Sequence, residues 1–455
     1  MSTATRTVVE LGEMTLDGDV TARLPDGRTV LVEFGIPGER VELRPAATPD
    51  PRRAHIDRIV APAPSRVTPR CRHFGPCGGC AWQHIAYGEQ LALKRRLCER
   101  LLAEALGGDA PMVEATLAAA GADGGPWGYR NKVHFVFTER AGTLALGHFR
   151  RRSSAVLPVE ECPVHAPDGN TIAFRAAEEL RRAGIPPASA DLARGTLRHL
   201  VVRVAASTGE RLLTAVVRRV DRRVPDALIR AVPADPDATS LHVNLHPADD
   251  PYLFGETTKK VRGRERLRDQ LGGVSYLMSP TAFFQTNVAA AQVLVRLVTD
   301  AVPADAATVL DLYAGAGLFA LPLAKRGLRV TAIEEHAGAV ADGVAARKLN
   351  GIDATRCRFV ASRVEDAIKR PLPSAPDVVI LDPPRGGCER RVLQHVLARL
   401  QPPRVVYVSC NPAALAADLA SARALGYRAE RVQPVDMFPH TPHIEAVAVL
   451  KRRSG

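Results

Sequence analysis

Four apolar runs in the last third of the chain, "AATVLDLYAGAGLFALPLA", "LRVTAIEE", "APDVVILDPP" and "PRVVYVSCN", each pass from β-branched residues into polar, Gly or Pro punctuation, with Ala-rich stretches between them. Strands that are apolar on both sides must bury both sides. Alternation with helices therefore restricts this region to a parallel sheet covered on both faces. Folds of this kind hold ligands beyond the carboxyl ends of the strands, where the polar punctuation falls.

The first run ends near Asp311 and continues as Tyr313-Ala314-Gly315-Ala316-Gly317, small residues that let a ligand approach the backbone at the turn into a helix. The next run ends in Glu334, about twenty residues on, where a carboxylate can accept the ribose hydroxyls of a nucleoside. A dinucleotide loop would place a third glycine where Ala320 stands. Without that pyrophosphate cradle the pattern favours S-adenosylmethionine over NAD. Farther on, "DPPRGG" sets Asp382 at a strand end, and its two prolines stop the ladder and fix the carboxylate and Arg385 at the crevice. The "SCNP" run brings the thiol of Cys410 to the lip of a buried strand, just before Pro412 turns the backbone.

The rest of the chain is organised differently. Residues 6–62 alternate short β-like runs with turn signals such as "LPDGR" and "GIPGE", which suits a five-stranded barrel. "CRHFGPCGGC" follows and opens a helix through "YGEQLALKRRLCERLLAEAL". From about Trp127 to Gly273, strand-like runs alternate with loops. Basic clusters stand at Arg150 to Arg152, Arg218/Arg219, Arg222/Arg223 and Lys259/Lys260, each readable as a solvated face. At roughly 150 residues per domain, 455 residues suggest about three units: a barrel over 1–64, a central α+β domain over 65–275 and an α/β domain with a Rossmann-like sheet over 276–455.

The formal net charge of +12 favours a polyanionic partner such as nucleic acid. The opening residues lack a basic segment followed by an apolar one, and no later run is long and charge-free enough to span a bilayer, so a cytoplasmic protein without membrane contact is expected. Eight cysteines are too sparse for a disulfide framework in a chain of this length. Cys71, Cys77 and Cys80 form a C-x5-C-x2-C loop that offers three soft ligands. Zinc would need a fourth such as His73 or His84, and an iron–sulfur cluster a fourth thiolate. Cys98, Cys357 and Cys388 read as core residues.

Taken together, "SCNP", "DPPRGG", "DLYAGAGLFALPLA", "FFQTN" and "DMFPHTPHIE" resemble the RNA (uracil-5-)-methyltransferases, which form 5-methyluridine in ribosomal or transfer RNA. The likeness extends over nearly the whole chain: the first module resembles the TRAM RNA-binding barrel, and "CRHFGPCGGC" the family's 4Fe-4S motif. It implies a class I methyltransferase domain using S-adenosylmethionine. Cys410 matches the catalytic nucleophile and Glu445 the general base. Gln285, Tyr313, Glu334 and Asp382 match cofactor-binding positions. Cys162 supplies the fourth ligand beside Cys71, Cys77 and Cys80, with Cys98 as runner-up. Arg130 and Lys132 fall where the family meets RNA. Leu318 departs from a polar residue in many relatives, and Ser362 and Arg363 end an unusual third strand.

The chemistry agrees with these roles. Carbon 5 of uracil is a weak nucleophile until a thiolate adds at carbon 6, and a base must later take the carbon 5 proton so that the thiol can leave. Reaching a stacked base requires extruding it. Asn411 is a candidate to hold a uracil carbonyl, and His440 and His443 have supporting places. The expected enzyme is a monomer acting on ribosomal RNA, with the T-loop of transfer RNA as the alternative. A non-catalytic RNA-folding protein would have lost Cys410 or Glu445, and both are present.

Overall fold

The computed structural model describes residues 7–45, 50, 52–119, 124–189, 194–232, 238–250, 252–370 and 375–453. The strands Thr7–Met14, Val20–Arg23, Thr29–Val32, Arg40–Pro45 and Arg53–Ala61 close into the expected barrel. Leu11, Val20, Val32 and Val41 fill its interior.

A seven-stranded sheet follows, in the order Thr257–Arg262, Thr239–Leu245, Arg211–Val217, Leu197–Val204, Lys132–Arg140, Thr143–Phe149 and Val156–Pro158. The helices Pro167–Arg182 and Arg223–Ala231 bury one of its faces through residues such as Ile172, Leu180 and Leu228 against Phe135, Leu200 and Leu213.

The third sheet has eight strands, in the order Cys357–Ala361, Arg329–Glu334, Thr308–Leu312, Val378–Leu381, Arg404–Ser409, Glu445–Arg452, Tyr427–Val435 and Met112–Val113. Its first five strands are parallel, and Glu445–Arg452 runs antiparallel beside Arg404–Ser409. Val405 to Val408 are at most 1% exposed, which is the two-sided burial that their unbroken run of Val and Tyr requires. The chain order reverses between Thr308–Leu312 and Val378–Leu381. That switch point leaves a crevice at the strands' carboxyl ends.

The helix Tyr87–Leu106 packs on the helix Pro412–Ala424, and its buried face joins the core of this third sheet. On that face Lys94 and Asp436, both fully buried, form an ion pair of 2.5 Å. Removing one partner alone would strand a buried charge, at a cost of about 3–5 kcal/mol.

Arg151 and Arg152 differ from the expected solvated face: together with Arg53 they converge on the fully buried Asp19 and on Glu33, tying the barrel to the turn between the strands Thr143–Phe149 and Val156–Pro158. No helix among the described residues is long and apolar enough to cross a membrane.

Candidate active site

The segments Tyr313–Gly317 and Asp382–Cys388 leave the two strands that flank the switch point. Tyr313, Gly315 and Gly317 all have positive φ, at 63°, 55° and 86°. The two glycines serve different ends. A Cβ on Gly317 would stand 2.7 Å from Phe359 Cζ, whereas one on Gly315 would meet nothing within 4 Å, so the loop opens toward the crevice at Gly315. The carboxylate of Glu334 accepts hydrogen bonds from the backbone N–H of Gly315 at 2.9 Å and of His336 at 2.8 Å. It thereby joins the glycine loop to the neighbouring strand. The Tyr313 side chain packs on the core beside Cys388. Leu318 is buried in the core and offers the crevice no polar group. Ser362 donates its N–H to Glu334 O, and Arg363 lies exposed among Glu335, Glu365 and Glu389.

Carboxyl groups collect here. Burial and the nearby Glu334 push Asp382 up to about 7. Burial, then Asp382, holds Glu445 well above the usual carboxylate range, and Arg385 opposes the shift. Asp311, which sequence reasoning read only as a strand end, is fully buried, and neither of its oxygens makes a full hydrogen bond. Burial and the charges of Asp382 and Glu334 raise its pKa well above the ordinary value. Only the ionised forms of these carboxyls attract a sulfonium or ammonium cation, and a cation bound beside them favours their ionisation.

Cys410 and Glu445 meet through sheet register. The last pair between Arg404–Ser409 and Glu445–Arg452 is Ser409 with Ala446, so one further step sets Cys410 opposite Glu445. Cys410 lies one residue past the end of its strand, within electrostatic reach of the Glu445 carboxylate. Cys410 is half-buried and so keeps an opening to solvent, whereas Glu445 is 4% exposed. Burial raises the Cys410 thiol, Glu445 and Asp382 raise it further, and Arg385 pulls it down.

Arg385 is held on two sides. Its carbonyl accepts from Asn411 Nδ2 at 2.9 Å, and its Nη2 lies 3.0 Å from His443 Nδ1. Guanidinium nitrogens only donate, so His443 Nδ1 is the acceptor. The rest of the turn is pinned by Asp418 Oδ2, which accepts from the Cys388 N–H at 2.8 Å and the Tyr407 hydroxyl at 2.5 Å. Asn411 also caps the next helix, its Oδ1 accepting from Ala413 N at 3.1 Å. Asn411 thereby forms the turn, with one Nδ2 hydrogen left for a further acceptor.

Gln285 is buried on the loop before the helix Val288–Ala301. That loop lies against the Arg130–Asn131 backbone, and Asn287 Nδ2 donates to Met437 O at 3.1 Å, so it borders the segment that leads to Glu445.

Cys71, Cys77, Cys80 and Cys162 all line one cavity of about 680 Å³ with Arg130, Lys132 and His73, and all four thiols are free. Cys80 and Cys162 lie within electrostatic reach of each other and of Cys77, and burial pushes their thiols up, to about 12 and about 11, against the opposing pull of the Arg130 cation. Among the described residues no three Cys, His, Asp or Glu side chains close on a point as ligands of a single ion. Four cysteines are the soft donor type that an iron–sulfur cluster takes, and the fold brings them to one cavity without closing them on a point. The zinc alternatives also lack ligands. His84 packs with Phe34 and Phe74 against Gly35, and His73 Nε2 already accepts the Glu160 N–H. Cys98 is buried in the core helix. Arg130 and Lys132 line the cysteine cavity, and burial, with Arg203 and Arg130, pushes Lys132 down to about 7.

The fold and this crevice define a class I methyltransferase. Residues 259–453 match the family model tRNA (Uracil-5-)-methyltransferase. A Gloeobacter violaceus protein named as an RNA methyltransferase is 37% identical over 449 residues, 98% of this chain and 96% of its own length. One from Listeria monocytogenes is 32% identical over 442 residues, 96% of each chain. The crystal structure of Pyrococcus abyssi tRNA (uracil-54, C5)-methyltransferase in complex with S-adenosyl-L-homocysteine superposes with a TM-score of 0.77 at 27% identity, covering 98% of this chain and all of that one. The chain belongs to the RNA (uracil-5-)-methyltransferase family.

Proposed function

We propose that this enzyme methylates carbon 5 of one uridine in a folded RNA through a transient bond between Cys410 Sγ and carbon 6 of the ring. The register that sets Cys410 opposite Glu445 is the observation that carries the reading. S-adenosylmethionine supplies an electrophilic methyl group on a cationic sulfur. Gln285, Tyr313, Glu334 and Asp382 hold it, and Asp382, pushed up to about 7, faces it with a negative charge in its ionised form. Arg385 stabilises the thiolate as it forms. Addition at carbon 6 moves the ring's electrons onto the carbon 4 oxygen and makes carbon 5 nucleophilic. After methyl transfer, Glu445 takes the carbon 5 proton, the C5–H electrons restore the ring double bond, and the C6–S bond breaks back onto Cys410. Burial raises the proton affinity of Glu445, and Arg385 opposes that shift and favours the ionised form that accepts the proton.

The units 1–64, 65–275 and 276–455 divide the work: the barrel grips RNA, the central unit carries a 4Fe-4S cluster on Cys71, Cys77, Cys80 and Cys162, and the last unit transfers methyl. The cluster's role is structural, since no step above needs an electron. Both reacting side chains come from one chain, so a monomer suffices, working in the cytoplasm. The barrel and cysteine loop favour ribosomal RNA. The named Pyrococcus abyssi neighbour acts on transfer RNA, which supports the second reading. Mass spectrometry of both RNAs from a deletion strain separates them by which one loses 5-methyluridine.

The mechanism is tested by incubating the enzyme with S-adenosylmethionine and 5-fluorouridine-containing transfer or ribosomal RNA. A denaturation-resistant adduct that vanishes in Cys410→Ala supports the reading, and no adduct with either RNA counts against it.

A further inference from the structure

Between the strands Tyr427–Val435 and Glu445–Arg452 runs the loop that ends on Glu445, and four successive carbonyls of this loop are held by four different parts of the chain. Met437 O accepts from Asn287 Nδ2 at 3.1 Å, Phe438 O from Lys94 Nζ at 3.2 Å and Pro439 O from the Tyr129 hydroxyl at 3.2 Å. His440 O accepts from the N–H groups of Ala81 and Trp82, each at 2.9 Å. Buried backbone carbonyls need partners, and each of these has one outside its own loop, Phe438 O accepting from the Thr441 hydroxyl at 2.8 Å as well.

Gln90 concentrates this grip. It is fully buried on the helix Tyr87–Leu106. Its Oε1 accepts the His440 N–H at 2.8 Å, and its Nε2 donates to Trp82 O and Ile85 O and reaches His440 Nδ1 at 3.2 Å. His440 has a φ of 66°, a left-handed conformation costly for a side chain with a Cβ. Trp127 covers its ring at 3.9 Å between centroids. Strain at one residue persists only where surroundings over-determine it. Here they do, five residues before Glu445.

We propose that Gln90 is a positioning residue for proton removal: by holding His440 in its strained conformation it fixes the loop that aims Glu445 at carbon 5 of the uracil. The Lys94–Asp436 pair anchors the start of the same loop. The Ala81 and Trp82 amides, directly after Cys80, join the cysteine loop to it. This rests on the covalent mechanism above. The step affected is the last one, in which Glu445 accepts the carbon 5 proton while the C6–S bond breaks and Cys410 regains its electron pair. A loosened loop therefore leaves addition and methyl transfer intact and slows release.

The test uses full-length Gln90→Leu, labelled S-adenosylmethionine and in vitro-transcribed transfer and ribosomal RNA, with wild type, Cys410→Ala and Glu445→Gln alongside. The expected result is a kcat lower by about 10- to 100-fold, the range of a small misplacement of a reacting group, with KM for RNA falling alongside it, so that kcat/KM changes little because the slowed step follows methyl transfer. A labelled protein–RNA adduct should accumulate toward the Glu445→Gln level. Unchanged kcat, or a lower kcat without adduct, overturns the proposal. Absence of adduct in Glu445→Gln itself would instead overturn the covalent mechanism. If Gln90→Leu does not fold, His440→Gly and His440→Val replace it. Glycine takes this φ freely and should release product normally, whereas valine should accumulate adduct. Equal behaviour of the two overturns the proposal.

Discussion

Nη2 of Arg385 stands 3.0 Å from Nδ1 of His443, so the guanidinium that lowers the Cys410 thiol is itself steered by a ring two residues before Glu445. Partial burial, followed by Arg385 itself, pushes His443 down to about 4, which keeps its Nδ1 free to accept at neutral pH. Removing the cation as Arg385→Ala should shift alkylation of Cys410 by iodoacetamide to higher pH and lower kcat by more than about tenfold. Arg385→Lys keeps the charge but loses the planar fork, and should fall between. An unchanged alkylation profile in Arg385→Ala would remove Arg385 from thiol activation.

Asp382 makes cofactor binding pH-dependent. Its pKa is raised to about 7, so it is largely neutral at pH 6 and ionised at pH 8, and only the ionised form attracts a cation. S-adenosylmethionine should bind more tightly at pH 8 than at pH 6 by calorimetry, and Asp382→Asn should flatten that dependence. The stability sign is opposite. A carboxyl whose folded pKa lies above its unfolded value contributes most below the unfolded value and loses that contribution as pH rises through the folded one. Ligand-free Asp382→Asn should therefore melt at a higher temperature than wild type at pH 8, with the gain fading toward pH 4.

The two loop glycines should fail in different ways. Gly317→Ala places its Cβ against Phe359 at a positive φ and should lose about 1–3 kcal/mol of stability in thermal or urea unfolding. Gly315→Ala meets no protein atom. It should lose less stability, yet bind S-adenosylmethionine more weakly because its Cβ enters the crevice.

Much of this was legible in the sequence, for a physical reason. Strands buried on both faces must be continuously apolar, so Val405 to Val408 and their partners announced a covered parallel sheet, and the polar ends of those runs marked the crevice. The twenty-residue helix from Tyr87 and the five-stranded barrel followed from local periodicity and turns. What stayed hidden was long-range pairing. Lys94 meets Asp436 across 342 positions and Gln90 meets His440 across 350, and no local pattern encodes either. A Lys and a Gln on the same helix face as Leu93 and Leu97 were the available hint. Arg151 and Arg152 looked solvated for the same reason, since their carboxylate partners lie in the barrel. Asp311 was hidden by its run: one acidic residue between Leu310 and Leu312 reads as a strand end.

The cysteine loop should be separable from the chemistry. After anaerobic reconstitution with iron and sulfide, wild type should show visible charge-transfer absorption and bound iron, and Cys162→Ser should lose most of both while keeping S-adenosylmethionine affinity. Equal iron content in the two proteins would exclude Cys162 as the fourth ligand.

The most direct test of the Cys410–Glu445 pairing is peptide mass spectrometry of Glu445→Gln after reaction with S-adenosylmethionine and substrate RNA. With addition and methyl transfer intact and proton removal blocked, the peptide containing Cys410 should carry a uridine that already bears the new methyl group. Free 5-methyluridine formed by Cys410→Ala, or a methylated adduct on any other cysteine, would contradict the mechanism.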